Sequence, residues 1–148
     1  MSFDAFKAIK SGDVLQLRHY LDSGFDPDYP DPSHRSGASL LIYAAHVGNT
    51  AIARELISHG ASLNARDGDG WTALNMAVHT GHVGFVELLL NAGASLDGQA
   101  FTGSIEDFLN WTLLYGTGTK EAMKKMLPII EFARSKQDEC PTKSESSE

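Results

Sequence analysis

The chain has 148 residues, 42% of them apolar, and a formal net charge of −7. That apolar share suffices for one ordinary domain with a core and excludes disorder throughout. The acidic balance opposes approach to a phosphate backbone, and no segment nears the roughly 20 apolar residues of a membrane span, so neither a nucleic acid nor a membrane is expected as partner.

The opening stretch, MSFDAFKAIKSGDV, alternates apolar and charged residues without the continuous apolar run of a signal peptide. Two helices are expected across FKAIKSGDVLQLRHYLDSGFDPD, where Gly12 and Gly24 lie 36 residues before Gly48 and Gly60. The following DPDYPDPSHRS carries three residues more than its counterpart further on. Pro27, Pro30 and Pro32 within it predict a stiff loop without regular ladder structure.

From Gly37 the chain becomes periodic at 33 residues: Ala44-Ala45 answers to Ala77-Val78, Gly48 to Gly81, and Leu56-Ile57 to Leu89-Leu90. The word GASL occurs three times, at Gly37, Gly60 and Gly93, but only the last two follow an apolar run. In the first copy Ser39 and Leu41 align with Thr72 and Leu74, so it opens a unit instead of closing one. Thr72 is a good N-cap for a short helix over Ala73 to His79, and Gly81 breaks that helix. Val83, Val86, Leu89 and Leu90 then follow at helical spacing, with Gly93 able to take the left-handed conformation that closes the helix. SIEDFLNWTLLYGTGTKEAMKKMLPIIEFAR offers two more helices. Residues 135–148 are rich in Ser, Glu and Lys and are expected to form a disordered tail. That tail holds Cys140, the only cysteine, so no internal disulfide can form and a reducing, cytoplasmic setting is expected.

A period of this length marks stacked repeats. GWTALNMAVHTGHVGFVELLLNAGASL resembles an ankyrin repeat, whose T-P-L-H-x-A hallmark is here Thr72-Ala73-Leu74-Asn75-Met76-Ala77. GASLLIYAAHVGNTAIARELISHGASL resembles a second. Ala73 and Leu40 stand where the hallmark has Pro, and Asn75 and Ile42 where it has His. The resemblance covers about residues 3–134, more loosely at both ends. It implies an all-α fold, an ankyrin-repeat solenoid of about four helix-turn-helix repeats with hairpin loops. One domain is expected over 1–134, with units near 3–36, 37–69, 70–99 and 100–134. Seams buried by Leu56, Ile57, Leu89 and Leu90 should hold it together, and the end units should be more polar, as terminal repeats are.

Catalysis finds no seat. DGDGW begins like a calcium loop, but Trp71 and Val78 fall where carboxylates are needed, so a tight hairpin turn is expected. GTGTK lacks the spacing of a phosphate loop, no Ser sits in a nucleophile elbow, and Glu106-Asp107 reads as a helix start favoured by the dipole. His46 and His79 occupy equivalent positions, yet no third metal ligand accompanies them. No enzyme activity, cofactor or metal is therefore expected.

The resemblance implies a different use, the docking of a partner on the concave side formed by hairpin tips and first helices. The tips are Asp31, Ser33, His34 and Arg35, then Arg66, Asp67, Asp69 and Trp71. The helix-end positions are Lys10 and Ser11, His46 and Val47, and His79 and Thr80. With Tyr115 near the last turn, the expected contact set is Lys10, Arg35, His46, Arg66, Asp67, Asp69, Trp71, His79, Thr80 and Tyr115. Trp71 is the best single anchor, with packing against the next hairpin as its alternative. Acidic residues along the loops, Asp26, Asp28, Asp31, Asp67, Asp69 and Asp97, point to a partner with a basic patch. A small stand-alone inhibitor, immunity factor or adaptor, monomeric when free, is the expected role. The alternatives are a structural subunit of an assembly and a metal-dependent activity of His46, His79 and His82.

Overall fold

A computed structural model describes residues 2–33, 35–99, 103–115 and 120–139. His34, most of GTGTK and residues 140–148, with Cys140, lie outside the described residues. Among the described residues eight helices follow in order: α1 Ser2–Ser11, α2 Val14–Asp22, α3 Leu40–Val47, α4 Thr50–Ser58, α5 Ala73–Thr80, α6 Val83–Asn91, α7 Ile105–Tyr115 and α8 Lys120–Glu139. A short antiparallel ribbon, β1 Asp97–Gln99 with β2 Gly103–Ser104, joins α6 to α7. Odd-numbered helices pack side by side in one layer and even-numbered helices in a second, each pair bridging the two. The result is an all-α stack of four helix-turn-helix units.

Side chains at the helix starts explain why such short helices form. Asp13, Ser39, Asn49 and Thr72 each accept a bond from the backbone N–H three residues on, satisfying one of the free amides of the first turn. In α5 the bond is returned: Asn75 Oδ1 accepts from Thr72 N–H at 3.1 Å, completing a capping box. Asn75, at the hallmark His position, thus ties down the helix start. Ile42, at the equivalent place in α3, has no polar atom to do so, and Ser39 caps one way only. The first GASL therefore starts a helix, while Gly60 and Gly93 follow helix ends.

Gly48 and Gly81 close α3 and α5 at φ +82° and +83°, a region where a side chain would crowd its own carbonyl. Gly48 has a second reason to lack a side chain, because a Cβ there would stand 2.6 Å from the His82 ring.

The core runs the length of the stack. Leu17, Ile52, Leu56, Leu89, Leu96, Phe85 and Phe108 are fully buried, and burying each such side chain is worth roughly 1.5–3 kcal/mol. Ile57 and Leu90 are only half-buried, since each falls at the edge of its helix's inward stripe. Stacked loops join the same seams: Asp28 Oδ1 accepts from Ser62 N–H at 2.7 Å and Asn64 Oδ1 from Ser95 N–H at 2.8 Å.

Two expectations are corrected, while the one about the proline loop is not. The proline loop carries no regular ladder among the described residues, only an isolated bridge in which Asp31 N–H donates to Ala38 C=O at 2.9 Å; Asp31 supplies the donor its proline neighbours lack. α8 runs to Glu139, so the residues just after 134 are helical. Gln137 Nε2 donates to Ala94 C=O at 3.3 Å and Lys136 Nζ lies 4.8 Å from the Phe132 ring centre. Finally, the last unit is less polar than a terminal repeat was expected to be. Lys120, Lys124 and Lys125 do face water, but so do Leu114 at 76% exposure and Phe132 at 61%.

Candidate functional site

The odd-numbered helices leave one side uncovered, and the hairpin tips adjoin it. Lys10 lies in the last turn of α1 and His46 in that of α3, and His79 and Thr80 end α5, so one register position per unit places these residues in a row. Lys10, His46, Tyr115, Arg35, Arg66 and Asp69 are exposed, while Asp67, Trp71, His79 and Thr80 are half-buried.

The half-buried four are occupied locally. Asp67 Oδ1 accepts from Asp69 N–H at 3.0 Å and Trp71 N–H at 2.9 Å, and Asp67 N–H donates to Trp71 C=O at 3.0 Å. The expected tight turn is present, with this carboxylate at its centre. Thr80 Oγ1 donates to Met76 C=O at 2.8 Å. Trp71 meets Phe108 edge-on with ring centres 5.5 Å apart and meets His79 likewise at 5.2 Å. Trp71 therefore packs toward the next unit, against its first helix rather than its hairpin, and offers a partner only part of its indole.

An aromatic row results. His79 stacks on Trp111 at 6.2 Å and 27°, and Trp111 adjoins Tyr115 at 5.7 Å. Toward the first unit, Tyr43 contacts Phe6 at 6.0 Å and His46 at 6.5 Å. Burial, with a smaller contribution from the His46 imidazole, holds His79 below the usual histidine range. Sequence reading missed Tyr43 and Trp111. Tyr43 aligns with Met76 and could have been found from the period; Trp111 could not, because no T-x-L start fixes the register of α7.

The other layer carries charge instead. Arg18 grips the Glu55 carboxylate through Nε at 2.9 Å and Nη2 at 2.8 Å, linking α2 to α4. His59 places Nε2 2.9 Å from Asp22 Oδ1 and Nδ1 2.9 Å from Glu55 C=O. Two acceptors suit a doubly protonated ring, and the Asp22 bond raises its pKa. Arg134 similarly joins α8 to Glu106 and Asp97, at 2.8–3.0 Å.

His82 N-caps α6 without a side-chain capping bond. Its Nε2 lies 3.2 Å from His46 C=O in the preceding unit, which ties it to the turn rather than to a metal. Among the described residues no three His, Cys, Asp or Glu side chains are grouped to hold a metal ion, and no helix is long and apolar enough to cross a membrane.

The family model for ankyrin repeats in three copies matches residues 5–100. That span runs from within α1 through α6, the three units whose turns and caps repeat most closely. With the stack, the caps and the match in agreement, the chain belongs to the ankyrin-repeat family, whose members serve as protein-interaction modules and are generally non-catalytic.

Proposed function

We propose that the chain acts by holding a partner protein on its concave surface, as an inhibitor, immunity factor or adaptor. The observation that carries this reading is the row of side chains on the first helices, with Lys10, His46 and Tyr115 exposed, the last at 69%, and Tyr43 and His79 half-buried between them. Aromatic side chains such as Tyr43 and Tyr115 are enriched in protein interfaces, where they cover large areas. Asp31, Asp67 and Asp69 at the tips, with the net charge of −7, favour a partner face bearing a basic patch and disfavour nucleic acid and anionic membrane. The lone cysteine fits work in the cytoplasm.

The test is recovery of one specific partner by the wild-type chain and by a Lys10→Glu, His46→Ala, Tyr115→Ser variant, all at exposed positions. Loss of that partner by a variant that still folds supports the reading, and equal recovery refutes it. Exposed Leu114 and Phe132 favour a second reading, a structural subunit contacting neighbours through its last repeat. A stable oligomer of the purified chain in light scattering would favour that alternative.

A further inference from the structure

We propose that the cleft between the first two hairpin tips is a pocket for one arginine side chain of a partner protein. The proposal rests on the protein-binding reading and names the group recognised there. The cleft has a volume of about 210 Å³, below the roughly 300–1,000 Å³ of pockets for whole small molecules and suited to a single side chain. Its walls are mostly apolar or aromatic, Ala38, Ile42, Tyr43 and Met76, with Ser36 and the His46 imidazole also lining it. Its charged groups are the carboxylates of Asp31 and Asp67, one from each tip.

Both carboxylates are fixed in place. Asp31 is only 8% exposed, and its Oδ1 accepts from Ser33 N–H at 2.8 Å and Ser33 Oγ at 2.6 Å. Asp67 uses Oδ1 in the same manner for its own turn. The tips are clamped together by Gly68 N–H donating to Ser36 C=O at 2.6 Å. Among the described residues neither Asp31 nor Asp67 forms an ion pair. Two positioned carboxylates in the lining of a largely apolar cleft fit a long cation whose stem is buried and whose head is planar.

Arginine is favoured over lysine by the Tyr43 ring in the wall. A guanidinium can stack on that ring and still fork toward carboxylates, whereas an ammonium is a compact, strongly hydrated charge. The neighbouring cavity, about 380 Å³, shares Asp31 and Tyr43 and adds Lys7 and Lys10. These lysines likewise form no ion pair among the described residues. A partner segment carrying a carboxylate beside its arginine would meet complementary charge along the whole groove.

The experiment is titration of the ¹⁵N-labelled chain with N-acetyl-arginine methylamide, its lysine counterpart and its neutral isostere citrulline, read by amide shifts. Arginine is expected to bind with a Kd of about 1–10 mM, the weak range of a one-side-chain ligand, moving the amides of Asp31, Ser36, Tyr43 and Asp67 together. Citrulline should leave them unmoved and lysine should bind several-fold more weakly. Asp31→Asn and Asp67→Asn keep the Oδ1 acceptor and hence each turn, so amide dispersion should persist while arginine affinity falls at least about fivefold. Unmoved amides, equal shifts with citrulline, equal affinity for lysine, or arginine shifts spread over Asp26, Asp28 and Asp97 as well would overturn the pocket. If the pocket fails while a partner is still lost by the Lys10, His46 and Tyr115 variant, only this inference falls; retention of the partner by that variant removes the broader reading instead.

Discussion

Single residues carry more of this structure than their burial suggests, and Gly48 is the clearest case. Its φ of +82° closes α3, and its missing side chain leaves room for the His82 ring to reach His46 C=O. Gly48→Ala should cost about 1–2 kcal/mol from backbone conformation alone, with a further loss as the ring is pushed aside. Thermal unfolding should register a fall of several degrees, and an unchanged midpoint would contradict the assignment. Two histidines should titrate in opposite directions. His59, raised by Asp22, stabilises the fold fully below about pH 6.5, and that contribution is lost as pH rises through its higher folded value. His79, held low by burial, has the reverse sign: its contribution is present above about pH 6.5 and lost as pH falls through its lower folded value. Ring-proton NMR should place the two midpoints on either side of the ordinary histidine value, and coincident midpoints would contradict both environments.

Elements are held by seams that each pair cannot complete by itself. Leu89 on α6 is fully buried, and α6 packs against α4 and α8 as well as α5. Leu89→Ala should therefore cost roughly 2–5 kcal/mol in urea unfolding, and a loss below about 0.5 kcal/mol would place it at the surface. Most of this level was legible, because a fixed period with capping and helix-ending residues determines where short helices begin and stop. The β1–β2 ribbon was not: two- and three-residue strands leave no pattern, and the ribbon exists because Ile105 N–H reaches back to Leu96 C=O at 3.0 Å and Arg134 holds Asp97. The extent of α8 was hidden for a similar reason. Its last turns look too polar to fold, and contacts such as Lys136 with Phe132, Gln137 with Ala94 and Arg134 with Glu106 hold them.

At the scale of the whole molecule, one layer of helices is knit by charge and the other presents aromatic and basic side chains at the tips and helix ends. The sequence made the positions of that surface legible, since one frame places Lys10, His46 and His79 at matching sites. It could not separate side chains that face outward from those turned in, which depends on the neighbouring unit. Trp71 illustrates this, because only the placement of α7 brings Phe108 against it. This layer is the one proposed to grip a partner protein. The direct measurement is the dissociation constant of an identified partner for the wild type, for Lys10→Glu, His46→Ala, Tyr115→Ser, and for a control altered on the opposite layer at Arg54 and Glu87. A loss of at least about tenfold, or 1.4 kcal/mol, is expected for the first variant and none for the control; the reverse pattern would contradict docking on this layer.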